Sequence, residues 1–170
     1  MEAKLVLAGV GGQGIVLLTR IVGGVLTRRG HRVISTETHG MAARGGSVVS
    51  FMKVGDFKGP MLLHNEADIG VLLHPDEAER VRLFCKKDAL VVGYNLPLSG
   101  VDLKGAMEAE GIDPRRANMA VAGFLLAMFQ VPVDEVEGFL KEIKKATQAN
   151  LAAVELGYKE AQDAHVSATA

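Results

Sequence analysis

Four glycines in six residues, Gly9-Val10-Gly11-Gly12-Gln13-Gly14, separate an apolar run, Lys4 to Ala8, from an apolar helical pattern that begins at Ile15. Glycine accepts φ > 0 and lets another backbone or a ligand come close. This density at a strand-to-helix junction therefore predicts a tight turn exposing amide N–H groups at a helix N-terminus, an anion-binding geometry. A second stretch, His39-Gly40-Met41-Ala42-Ala43-Arg44-Gly45-Gly46-Ser47, sets one guanidinium beside two glycines and a hydroxyl. Arg44, helped by the Gly45 and Gly46 amides and the Ser47 hydroxyl, suits a phosphate or carboxylate held bidentately. An arginine that fixes a subunit interface or caps a loop is the competing account. His39 stands where it could touch the same ligand or serve as a structural hydrogen-bonding residue.

Gly9, Gly11 and Gly14 satisfy the G-x-G-x-x-G spacing, in the strand–turn–helix context that a dinucleotide-binding loop requires. A tight turn without a ligand is the plainer account of the same residues. Glu37, 23 residues after Gly14, is the acid such a fold would direct at a ribose. Against that, Gln13 stands directly before the third glycine, and acids at strand ends are common.

The elements that must position these loops follow from hydrophobic period. Residues 4 to 8 read as a short buried strand. Leu17, Leu18, Ile21, Val22, Val25 and Leu26 recur at helical steps within a helix from about Gln13 to Arg29, stopped at Gly30. His31 to Glu37 reads as the next strand, completing a βαβ unit with a parallel pair. Ser47 to Val54, Gly55-Asp56 and a run containing Pro60 predict a hairpin with its second arm at a sheet edge. Asp68 to Leu73 and Ala89 to Tyr94 are further strands, with a helix opened by His74-Pro75-Asp76-Glu77 between them. Residues 95 to 114 read as loop with short elements. In the C-terminal third three helical stripes follow: Val121, Phe124, Leu125 and Met128; Val136, Phe139, Leu140 and Ile143; Leu151, Val154, Tyr158 and Ala161. The expected fold class is α/β: a Rossmann-like three-layer fold, mostly parallel sheet with a hairpin at one edge and a helical C-terminal third. One domain is expected over residues 1–164, with 165–170 a frayed tail.

Composition narrows the function classes. A net charge of −1 over 170 residues, with the basic residues scattered among acids, argues against a nucleic-acid binder. Cys85 is the only cysteine, so the chain alone builds neither a disulfide framework nor a four-thiolate cluster. His39, His64 and His74 lack metal-ligand spacing, and no metal is expected. No charged-then-apolar leader opens the sequence and no apolar window suits a membrane span, so a soluble, cytoplasmic protein is expected. Ser47, Ser50 and Cys85 have no evident base, and no carboxylate pair stands at a spacing that assigns acid–base roles. The pattern is that of a binding subunit, with no catalytic residue, rather than a self-sufficient catalyst.

Ala8 to Ile15, Thr38 to Val48 (carrying HGMAARGGSV), Ala67-Asp68 before a strand and Ala117-Asn118-Met119 opening a helix together resemble the gamma subunit family of 2-oxoacid:ferredoxin oxidoreductases. The resemblance covers nearly the whole chain, and within the family the second motif looks most like the indolepyruvate-type beta subunits. It implies a non-catalytic subunit of a thiamine-diphosphate enzyme that oxidatively decarboxylates a 2-oxoacid to an acyl-CoA and passes electrons to ferredoxin, inactive alone. It further implies that thiamine diphosphate, magnesium and iron–sulfur clusters belong to catalytic partner subunits, while this chain helps the coenzyme A side and docks those subunits. Carried onto this sequence, the candidate contacts are Gly9, Gly11, Gly12, Gln13, Gly14, Arg44, Gly45, Gly46, Ser47 and Asn118. Homo-oligomerisation of the isolated chain stays open. Two readings compete with this one: an independent Rossmann-like nucleotide- or flavin-binding enzyme using Glu37, and a small regulatory binding module with no enzyme partner.

Overall fold

The computed structural model describes residues 1–39 and 45–169, the side chains of 39 and 165–169 excepted. Six strands form one sheet in the order β2-β3-β1-β4-β5-β6. They are β1 (Ala3–Val10), β2 (Val33–His39), β3 (Ser47–Val54), β4 (Ala67–Leu72), β5 (Cys85–Gly93) and β6 (Val101–Asp102). β1, β4, β5 and β6 pair in parallel, whereas β3 is antiparallel to both of its neighbours, β1 and β2.

The sheet is thus α/β and mostly parallel, with a hairpin at one edge, but the hairpin is built from different residues than the period suggests. Its arms are β2 and β3, joined through residues 40–46, and β3 enters the sheet between β1 and β2. Residues 55–66, Pro60 included, form no strand. The expected adjacent parallel pair of the first two strands is therefore corrected: β1 and β2 run the same way with β3 between them. β3 is covered on both faces, as a strand with two neighbours inside the sheet is: its six residues from Val49 to Val54 are all buried, Ser50 and Lys53 among them.

Helices cover both faces, giving three layers. On one face lie α1 (Ile15–Arg28), α4 (Ala117–Met128), α5 (Val133–Glu142) and α6 (Gln148–Thr169). They pack on Leu5, Leu7, Met52, Val54, Ile69, Val71 and Val92. The other face is thinner: α2 (Ala78–Phe84), entered through a 3-10 turn at Pro75–Glu77, covers Val6, Ala8, Val49, Phe51, Leu72 and Val91. The alternation of Leu5 and Leu7 with Val6 and Ala8 between the two cores is the period-2 signature of a strand buried on both sides.

α4 departs from a simple stripe. Every residue from Ala117 to Leu126 is buried, because α1 and β5 lie on one side and α6 on the other, while Met128 is 38% exposed at the end. Residues 95–114 resolve into β6 and α3 (Lys104–Ala109), with the Asp102 carboxylate accepting the amides of Asn95, Leu96 and Lys104. Cys85 opens β5, and burial pushes its thiol up to about 11.

Candidate functional site

β1 and β4 are neighbouring parallel strands whose following helices leave to opposite faces of the sheet, α1 to one and α2 to the other. Where that happens a crevice opens beyond the carboxyl ends of the strands, the usual ligand position of an open α/β sheet. The glycine turn lies at this point. Gly9 and Val10 end β1, Gly11 to Gln13 make the turn, and Gly14 is the N-cap of α1 with φ of 80°. No side chain caps the helix there. At Gly14 a β-carbon would be strained by the left-handed backbone and would meet Asn118 Nδ2 at 2.3 Å.

Gln13 braces the turn. Its Oε1 accepts the Val10 amide at 2.9 Å and its Nε2 donates to the Leu73 carbonyl at 2.8 Å, so one carboxamide ties the end of β1 to the end of β4. A Cβ on Gly9 would meet that Oε1 at 2.8 Å, which is why the residue beneath the brace has no side chain. The Gly11 amide donates to the Gly46 carbonyl at 2.8 Å, joining the turn to the root of the hairpin. The amides of Gly12, Gly14, Ile15, Val16 and Leu17 have no backbone partner among the described residues. A row of donors at the positive end of a helix dipole can receive an anion.

Of the residues expected to act together, Gly9, Gly11, Gly12, Gln13, Gly14, Gly46, Ser47 and Asn118 converge here. Ser47 is the first residue of β3 and pairs with Val10. Gly45 adopts φ of 76° just before it. Asn118, in the first turn of α4, is buried; its Nδ2 makes a long 3.5 Å contact to the Gly14 carbonyl and its Oδ1 accepts the Met119 amide at 3.0 Å. Arg44 lies outside the described residues. Glu37 is not brought to the turn: it sits inside β2, with β3 between it and β1, which removes the geometry a ribose-binding acid needs.

Residues 4–160 match the pyruvate ferredoxin/flavodoxin oxidoreductase family. The chain belongs to that family. It is 28% identical to the indolepyruvate oxidoreductase subunit IorB of Archaeoglobus fulgidus, across 99% of this chain and 100% of the relative. Its fold is similar to that of the keto/oxoacid ferredoxin oxidoreductase gamma subunit of Geobacter sulfurreducens, with a TM-score of 0.70 at 18% identity over 95% of this chain and 99% of that one. A 2-oxoglutarate:ferredoxin oxidoreductase from Magnetococcus marinus contains the same fold within a longer chain: TM-score 0.74, 18% identity, 95% of this chain against 31% of that one.

In this member of the family, sequence period missed two residues of the crevice, Glu77 and Arg80. Glu77 is 7% exposed, and it accepts the Ser47 hydroxyl at 2.8 Å while pairing with Arg80 Nε at 3.2 Å. The sequence signal was only an acid after Pro75, which a helix dipole explains by itself; the partner that matters is 30 residues away in β3. His74 Nδ1 accepts the Asp76 amide at 3.2 Å, a cap at the same rim. Among the described residues no three His, Cys, Asp or Glu side chains cluster as a metal site, and no helix is long and apolar enough to cross a membrane.

Proposed function

We propose that this chain is the small, non-catalytic subunit of a 2-oxoacid:ferredoxin oxidoreductase. In this reading the complex converts indolepyruvate to its acyl-CoA, and the chain supplies the rim of the coenzyme A site and a docking face for the catalytic subunit. The observation that carries the reading is the row of amides at the β1/β4 switch point with no backbone partner among the described residues, in a chain of this family. Such donors can hold a phosphate or a developing thioester oxygen without doing covalent chemistry.

The donor set also fits a division of labour. One buried cysteine cannot hold an iron–sulfur cluster, so thiamine diphosphate, magnesium and the clusters are assigned to partner subunits, where they supply the decarboxylation and electron transfer. Met61 (63% exposed), Leu63 (73%) and Leu83 (48%) support a docking role: the loop holding the first two is pinned to α2 by the Asn65 amide on the Leu83 carbonyl at 3.1 Å. Apolar side chains left in water together are a common mark of an interface.

A tagged copy purified from its native cells tests the reading. Coenzyme A-dependent dye reduction is assayed on the eluate with indolepyruvate, pyruvate and 2-oxoglutarate in parallel. Activity with indolepyruvate, in a fraction holding a larger thiamine-diphosphate and iron–sulfur chain, is the expected result. Activity with another oxoacid alone would correct the substrate. A lone, inactive chain carrying a bound nucleotide would overturn the reading altogether.

A further inference from the structure

Glu77 is a buried carboxylate, and burying such a charge is unfavourable unless it is both paired and hydrogen-bonded. Here the hydrogen bond comes from Ser47 in β3 and the pairing from Arg80 in α2. These two contacts, with a third, also fix where Arg80 lies. Ser47, Val49 and Phe51 share the face of β3 that α2 covers. Glu77 stands over Ser47, and Phe84 stands over Phe51 with ring centroids 4.8 Å apart. Arg80, three residues after Glu77 and four before Phe84, lies between them on the same side of the helix, alongside the root of the β2–β3 hairpin.

The Arg80 side chain is 48% exposed; Glu77 occupies its Nε, and no other described residue pairs with the terminal nitrogens. Other arginines that pair at their terminal nitrogens are differently placed: Arg28 meets Glu142 with both, and Arg115 turns its Nε and Nη2 on Asp113. A guanidinium anchored through Nε keeps a planar two-nitrogen fork for an oxyanion.

We propose that Arg80 is an oxyanion-binding residue of the crevice, positioned by Glu77, and that its ligand is a phosphate or pyrophosphate group entering between the hairpin root and the glycine turn. The proposal rests on the crevice being the ligand-facing part of the chain, as read above. Arg80 is linked to Ser47 through Glu77, by one ion pair and one hydrogen bond, and the strand partner of Ser47, Val10, leads into the turn. The phosphoryl group therefore meets the fork on the α2 side and the Gly12 amide at the top of the sheet. Such a group comes either from coenzyme A or from free phosphate.

Calorimetric titration of the full chain with inorganic pyrophosphate tests this without relying on turnover. Arg80→Ala is expected to weaken binding about tenfold, the loss of one bidentate charge-assisted contact. Arg32→Ala, a change at an exposed arginine paired with Asp56, should leave binding unchanged. Equal affinity in the wild type and Arg80→Ala would overturn the proposal, as would a wild-type chain that binds no pyrophosphate. Neither result would touch coenzyme A-dependent activity of the complex, so failure here is distinct from failure of the proposed function. If Arg80→Ala does not fold, Arg80→Lys carries the test: an ammonium cannot hold Glu77 and present a fork together, so it should bind several-fold more weakly; undiminished binding by Arg80→Lys would overturn the proposal. Displacement of pyrophosphate by coenzyme A identifies the cofactor as the source, whereas retention at saturating coenzyme A identifies free phosphate.

Discussion

Glycine is concentrated in the β1–α1 turn and recurs in the seam between α4 and α6, and it does opposite things in the two places. In the turn it opens backbone to solvent: Gly12 has φ of 94° and nothing within 4 Å of where its Cβ would be. In the seam it closes backbone on backbone. A Cβ on Gly123 would stand 2.1 Å from the Val154 carbonyl oxygen, and one on Gly157 2.0 Å from that of Ala120. With Ala120, Ala153 and Ala161 also buried, these residues let two helices approach closely and bury α4 on all sides. Glycine density therefore marks a candidate ligand loop only where no neighbouring backbone explains it.

The largest effect should come from breaking the seam. Gly157→Ala must push α6 away from α4, because the obstruction is backbone and cannot rotate aside; we expect a loss of about 3 kcal/mol or more. In a domain of this size that lowers Tm by about 6–12 °C. Gly123→Ala should behave alike, and the two together should cost less than their sum because one displacement relieves both clashes. Additive losses in thermal melts would show that the two contacts are independent.

Gly14→Ala should cost about 2 kcal/mol, less than the seam because its obstacle is the Asn118 side chain, at 2.3 Å, and its φ is 80°. Adding Asn118→Ala should recover the steric part and leave about 1 kcal/mol of backbone strain. No recovery in the double variant would mean that the left-handed conformation carries the whole cost.

Gln13→Glu tests the brace and should cost about 1–2 kcal/mol. The change replaces the Nε2 donor with an acceptor facing the Leu73 carbonyl, while the Val10 amide keeps its partner. Hydrogen exchange at the Gly11 and Gln13 amides, which donate to the Gly46 and Val10 carbonyls, should speed up with little change at Gly157. Equal acceleration at both would mean that the turn and the seam open as one unit.

The turn was legible in the sequence because everything it needs is local: a run of apolar residues, four glycines and a helical period within some 25 residues of each other. β3 was placed as a strand but in the wrong pair, since its period says that both faces are buried and not which strands flank it; its partner is β2, and the residues between the two in sequence, 40–46, read as a ligand loop, whereas Gly55-Asp56 carries the stronger turn chemistry. The Asp102 carboxylate that organises residues 95–104 binds three backbone amides, a pattern that leaves no periodic trace. Gln13 was visible only as the residue directly before the third glycine; its use as a strap depends on Leu73, 60 residues on. Glu77 and Arg80 were hidden for the same reason, their meaning lying in Ser47.

The smallest effects separate a glycine that the fold requires from one that it tolerates. Gly138 lies inside α5 with nothing within 4 Å of its Cβ position and no positive φ. Gly138→Ala should stabilise by about 0.5–1 kcal/mol, since alanine loses less backbone entropy in a helix. Gly12 has equally open space but a positive φ, so Gly12→Ala should destabilise by about 1 kcal/mol, and the sign of the Tm shift alone distinguishes the two. If both variants melted higher than the wild type, the turn would be able to relax to negative φ; its row of amides would then owe nothing to glycine, and the contrast between turn and seam would reduce to the seam.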